Sequence, residues 1–115
     1  MANLTAEEVL ESVRENIEDT IVPYRFSDDE LLRELTTAAR RLVTDRPDLM
    51  IDTDGTIIDE SLDIDYIRDN LIFDRYYLDA LVYYVCYLIF KKDSSDTYNA
   101  TQSATHLASY MGAIN

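Results

Sequence analysis

A chain of 115 residues, with 47% hydrophobic residues, 2 glycines and 2 prolines, has room for one compact domain and the composition of a helical one, which excludes a disordered tail or a second domain. Its formal charge of −13 repels phosphate backbones, excluding a protein that grips DNA or RNA through basic contacts. A single cysteine closes no internal disulfide and needs no oxidising compartment, while the acidic start "MANLTAEEVLESV" and the short apolar run Ala80 to Phe90 predict neither secretion nor a membrane span.

Thr5 with Glu8 forms a capping box, and Val9, Val13 and Ile17 recur every fourth residue, so a first helix is predicted over about Ala6 to Asp19. Its other face is acidic. After Pro23, Ser27 with Glu30 forms a second capping box. Leu31, Leu32, Leu35, Ala38, Ala39, Leu42 and Val43 then make a wide apolar stripe, giving a second helix that ends near Arg46, before Pro47.

From Asp48 to about Phe73 helical spacing fails. Asp45 to Asp74 holds ten acidic residues against Arg46 and Arg68. Within it, Leu49 to Ile51 and Thr56 to Ile58 flank Asp54-Gly55, a dipeptide suited to the positive φ angles of a tight turn, which predicts a short β-hairpin or extended arm. Asp74 then caps a third helix to about Lys92, apolar nearly all round and suited to the middle of a bundle. Ser94, Ser95 and Asp96 turn the chain into a fourth helix to about Met111, with Ala100, Ala104, Leu107, Ala108 and Met111 on one side. Short loops between capped helices predict antiparallel neighbours. The fold class is therefore mainly α, a four-helix bundle-like domain spanning 1–115 with a hairpin or arm at 48–73.

The run Asp52, Thr53, Asp54, Gly55, Thr56 matches the D-x-D-G-T motif that opens haloacid dehalogenase-type phosphatases, in which the first aspartate attacks phosphorus and the second protonates the leaving group with Mg²⁺ present. That fold needs a parallel sheet with crossover helices. Here two helices precede the motif and 59 residues follow Thr56, most of them helical, so an acidic turn is the better reading. An EF-hand loop in the same stretch would place Met50 and Ser61 where carboxylates are required. The lone His106 has no second imidazole to share a metal, and Cys86 sits among apolar neighbours where burial is expected. No catalytic group, cofactor or metal site is predicted.

Tyr76, Tyr77, Tyr83, Tyr84 and Tyr87 crowd the third helix. Each buried hydroxyl needs a partner, so some should reach the surface, where tyrosine is enriched at protein contacts.

Two blocks carry a resemblance. In "YRFSDDELLRELTTAARRLVTDRPDL", Tyr24 to Leu49, a helix-start signal, an Ala-Ala-Arg segment and a closing Arg-Pro-Asp precede a variable excursion; "YYLDALVYYVCYLIFKKDSSDTYNATQSATHLASYM", Tyr76 to Met111, continues in the same order. Together, over about half the chain, they resemble the head-to-tail adaptor (connector) proteins of tailed bacteriophages. The resemblance implies a structural virion protein of the phage neck, made in the host cytoplasm, that forms a ring, commonly twelvefold, beneath the portal. Such a ring extends the DNA channel and docks the stopper or tail; its acidity would let DNA slide without specific binding. It further implies contact roles for Tyr24, Arg25, Tyr83, Tyr84 and His106, and an arm carrying Asp54 and Gly55 towards a neighbouring subunit or the tail. The alternative is a small acidic binding or regulatory protein, a nucleic-acid mimic or docking module, with the phosphatase reading behind it.

Overall fold

The structure, a computed structural model, describes residues 4–18, 25–51, 64–71, 73–92 and 97–114. Four helices account for most of them: α1 (Ala6–Asn16), α2 (Asp28–Asp45), α3 (Leu78–Lys91) and α4 (Thr97–Ala113). Among the described residues there is no strand, and no helix is long and apolar enough to cross a membrane.

Helix α1 begins where its capping box forms, with Thr5 accepting from the Glu8 amide and Glu8 accepting from the Thr5 amide. The next free amides are taken by a strap of chain at 64–71: Ala6 donates to the Asp69 carbonyl at 2.9 Å and Glu7 to the Ile67 carbonyl at 2.8 Å. Leu71 returns a bond to Leu4, so strap and helix start are joined through backbone. Helix α2 begins at Ser27, which accepts from the Glu30 amide, and its apolar stripe Leu31, Leu32, Leu35, Ala38, Ala39 and Leu42 is buried as the spacing predicts. Ile64 of the strap is buried against this helix, its amide bonded to Thr36 Oγ1 at 3.0 Å.

Helix α3 lies in the middle and packs against α1, α2 and α4. Seven of its residues, Ala80, Leu81, Val82, Tyr84, Val85, Cys86 and Ile89, are buried, which is why it is apolar nearly all round. Directions follow from paired residues: Glu34 meets Lys92 while Arg41 meets Tyr84, so α2 and α3 are antiparallel. Phe90 meets Tyr98 and Tyr83 meets His106, so α3 and α4 are antiparallel as well. Arg75, just before α3, pairs with Glu8 near the start of α1. The buried Arg14 on α1 bonds the Phe26 carbonyl at 2.9 Å and Asp28 Oδ1 at 2.7 Å, which compensates the desolvation of its charge and ties the end of α1 to the start of α2.

Three expectations change. Leu49 and Met50 do not open a strand; they close a 3-10 turn, Pro47–Met50. Pro47 at the first position presets its φ, and Arg46 grips Asp48 through two nitrogens, at 3.0 and 2.9 Å, so the local turn outcompetes a three-residue strand. The remainder of the predicted hairpin, Asp54 and Gly55 included, lies outside the described residues. Of the apolar side expected on α4, Leu107 packs half-buried against the core while Ala104, Ala108 and Met111 are exposed, and Ser103 and Tyr110 are buried beside it. A buried tyrosine removes far more apolar surface from water than an alanine. Both polar groups find partners inside, so nothing opposes their burial: Ser103 Oγ donates to the Tyr87 carbonyl at 3.3 Å, and the Tyr110 hydroxyl to Asp45 at 2.7 Å. The third helix also starts later than expected, with a 3-10 turn, Arg75–Tyr77, capped by Asp74.

Candidate functional site

Helix α3 presents aromatic side chains in two directions, and each direction builds a different cluster. Towards α2, the Tyr84 ring lies 4.9 Å from Tyr110 and 5.2 Å from Tyr87. Arg41 caps this group, its guanidinium 5.4 Å from the Tyr84 ring and 5.7 Å from that of Tyr110, while Nη1 donates to the Tyr84 hydroxyl at 3.3 Å. Asp45, one turn along, accepts from Arg41 Nε and from the Tyr110 hydroxyl, both at 2.7 Å. Burial raises the Asp45 carboxyl pKa, but these two donors more than offset it and hold the group below the usual aspartate range. Tyr110 shifts the other way: burial first, then the Asp45 carboxylate, push its phenol well above the ordinary value. Arg41, Asp45, Tyr84 and Tyr110 thus satisfy one another's polar groups.

Towards α4, Tyr83 and His106 come within 6.4 Å and Phe90 stacks on His106 at 5.4 Å, with Tyr98 edge-on to Phe90 at 6.3 Å. His106 Nδ1 lies 2.7 Å from the Gln102 carbonyl; a carbonyl only accepts, so this nitrogen carries hydrogen. Tyr83 and His106 are both half-buried, so this belt straddles the boundary between core and surface. At its end an open groove of about 270 Å³ is lined by Ile17, Glu18, Arg25, Phe90 and Tyr98. Arg25 is exposed and donates to the Ile17 carbonyl at 2.7 Å, supplying a cation where the carbonyls of α1 end.

Of the predicted contact residues, then, Tyr83 and His106 are brought together, Arg25 sits at the far end of the same belt, and Tyr84 is buried on the other side. Tyr24, Asp54 and Gly55 lie outside the described residues, as does Asp52 of the phosphatase-like motif. Among the described residues no three His, Cys, Asp or Glu side chains are grouped to hold a metal ion. Burial pushes the Cys86 thiol up to about 12, so it is held as a thiol in the core. Sequence reasoning passed over Arg41, Asp45 and Tyr110. The Arg41/Asp45 pair has the i,i+4 signal of a helix-surface ion pair, whereas nothing local marks Tyr110 as its third member.

Set against known protein families, characterised proteins and solved structures, the chain matches none of them.

Proposed function

We propose that the chain is a structural adaptor of a tailed-phage neck, several copies forming a ring beneath the portal that continues the DNA channel and receives the stopper or tail. The observation that carries this reading is where the two resembling blocks fall. Tyr24 to Leu49 contains α2, and Tyr76 to Met111 contains α3 and nearly all of α4, so the resemblance follows the central helix and two of its packing partners. The acidity suits a channel wall, since a ring multiplies each subunit's charge and a negative lumen repels the DNA that passes through it. In this reading the excursion between α2 and α3, turning at Asp54 and Gly55, is the arm towards a neighbour or the tail, while Tyr24, Arg25, Tyr83 and His106 serve contacts at the flank of the bundle. Residence in the virion neck, after assembly in the host cytoplasm, follows from the same reading.

Mixing the purified chain with portal rings from tailed phages and imaging by electron microscopy tests it. The expected result is a second ring stacked coaxially on the portal; absence of any such ring across the portals tried would sink it. One observation favours a second reading. Glu7, Glu11 and Glu15 form an exposed acidic ridge along α1, which suits docking on a basic partner. Capture of a basic protein by the monomer, lost as salt is raised, would support that reading instead.

A further inference from the structure

The strap at 64–71 meets the bundle at both ends, and the two attachments are of different make. At its far end backbone bonds hold it to the start of α1: Ala6 and Glu7 donate to the Asp69 and Ile67 carbonyls, and Leu71 donates to the Leu4 carbonyl at 2.8 Å. Leu4 and Leu71 are buried beside those bonds. At its near end the strap meets α2 through the Thr36 hydroxyl and the Ile64 side chain. Thr36 Oγ1 accepts from the Ile64 amide at 3.0 Å and reaches the Ile64 carbonyl only at 3.5 Å, close to the limit of a hydrogen bond. Ile64 is buried, but open depressions of about 330 and 200 Å³ adjoin it, both bordered by Arg33 and Asp65.

Between these ends the strap holds its own shape. Asp69 Oδ2 accepts from the Asp65 and Tyr66 amides, both at 3.1 Å, and the Asp69 amide donates to the Tyr66 carbonyl at 3.0 Å. The Arg68 guanidinium lies 4.6 Å from the centre of the Tyr66 ring. A turn that satisfies its own amides keeps its form when one attachment is lost, so it swings as a body instead of unravelling. The attachment with less buried contact and fewer backbone bonds opens first. We infer that the strap is a latch: its α2 end lifts from Thr36 and closes again while its α1 end stays bonded, and the Thr36 hydroxyl sets the balance between the two states. Lifting uncovers Ile64 together with Leu32, which borders the smaller depression and is 4% exposed when the latch is closed. The open form thus shows an apolar spot on α2 that the closed form hides. The latch stands or falls independently of the adaptor reading.

Amide hydrogen exchange read by NMR tests this residue by residue. In the unaltered chain the Ile64 amide, corrected for its intrinsic rate, should exchange at least about tenfold faster than the amides of Ala6, Glu7 and Leu71, which should share one protection. Equal protection at all four overturns the latch, because the strap would then open only together with the start of α1. Thr36→Val keeps the shape of the side chain and leaves the Ile64 amide without its acceptor in the closed form, so opening should be favoured about tenfold or more. A thiol introduced by Leu32→Cys reads that opening, with the buried Cys86 left in place to report opening of the core. Adding Thr36→Val should speed labelling at position 32 about tenfold relative to Cys86, while Thr36→Ser, which keeps a hydroxyl, should leave it slow. Unchanged labelling at position 32 overturns the inference, as does a fall in the protection of Ala6, Glu7 and Leu71 by the same factor. If circular dichroism shows that a variant does not fold, the exchange pattern of the unaltered chain decides.

Discussion

Tyr110 is fully buried and its hydroxyl donates to Asp45. Tyr110→Phe keeps the ring packing against Tyr84 and removes that donor, so the fold should lose about 1.5–3 kcal/mol, the usual cost of a hydrogen bond to a charged group, measurable by urea titration. The same geometry sets a pH dependence. Because the folded Asp45 pKa lies below its unfolded value, its contribution is fully present above the ordinary aspartate value of about 3.9 and is lost as pH falls through the lowered folded value. Asp45→Asn should therefore flatten the acid limb of stability against pH below about 4, at some loss of stability near neutrality. Cys86 gives a third expectation: with its thiol buried and raised to about 12, alkylation at pH 8 should require opening of the core, and labelling of the native protein within seconds would contradict its placement. These residues also mark how far the sequence was legible. Arg41 and Asp45 are one helical turn apart and readable as a pair, and Cys86 among apolar neighbours was readable as core. Tyr110 meets Asp45 across 65 residues, and that separation leaves no local trace.

At the scale of the elements, the helices whose starts are written in side chains were the most legible. Thr5 with Glu8 and Ser27 with Glu30 place the starts of α1 and α2 to the residue, since a cap satisfies amides left without a partner in the helix, whereas α1 ends at Asn16, short of the expected Asp19. Thr5→Ala should cost about 1 kcal/mol. Glu8 also pairs with Arg75, so Glu8→Gln should weaken both the cap and the tie to α3, and a double-mutant cycle with Arg75→Met should give a coupling that fades as salt is raised. The buried face of α4 was legible only in part: Leu107 lies on it, whereas Ala104 and Ala108 do not. Alanines at helical spacing read as an inner face only if nothing larger competes; here Tyr110 and Ser103 occupy that face, and the partners that make their burial tolerable sit on α2 and α3. The turn at Pro47–Met50 was hidden similarly, because three apolar residues before Asp-Gly look like a strand until Arg46 is seen holding Asp48.

For the molecule as a whole, charge decides how copies behave towards one another. At about 10 mM salt the screening length is roughly 30 Å, comparable with the whole subunit, whereas at about 150 mM it is near 8 Å. On the ring reading, copies of net charge −13 should associate more tightly as salt rises across that interval, and sedimentation at both concentrations would show it. Attachment to a basic partner has the opposite slope. The strap at 64–71 carries a different consequence, one for the order of events during synthesis. The carbonyls of Ile67 and Asp69 and the amide of Leu71 complete the first turn of α1, yet they leave the ribosome some sixty residues after it. A nascent chain stalled before Leu71 holds its first helix half-anchored and open to proteases. Once that leucine emerges, the amino-terminal segment is fastened from behind.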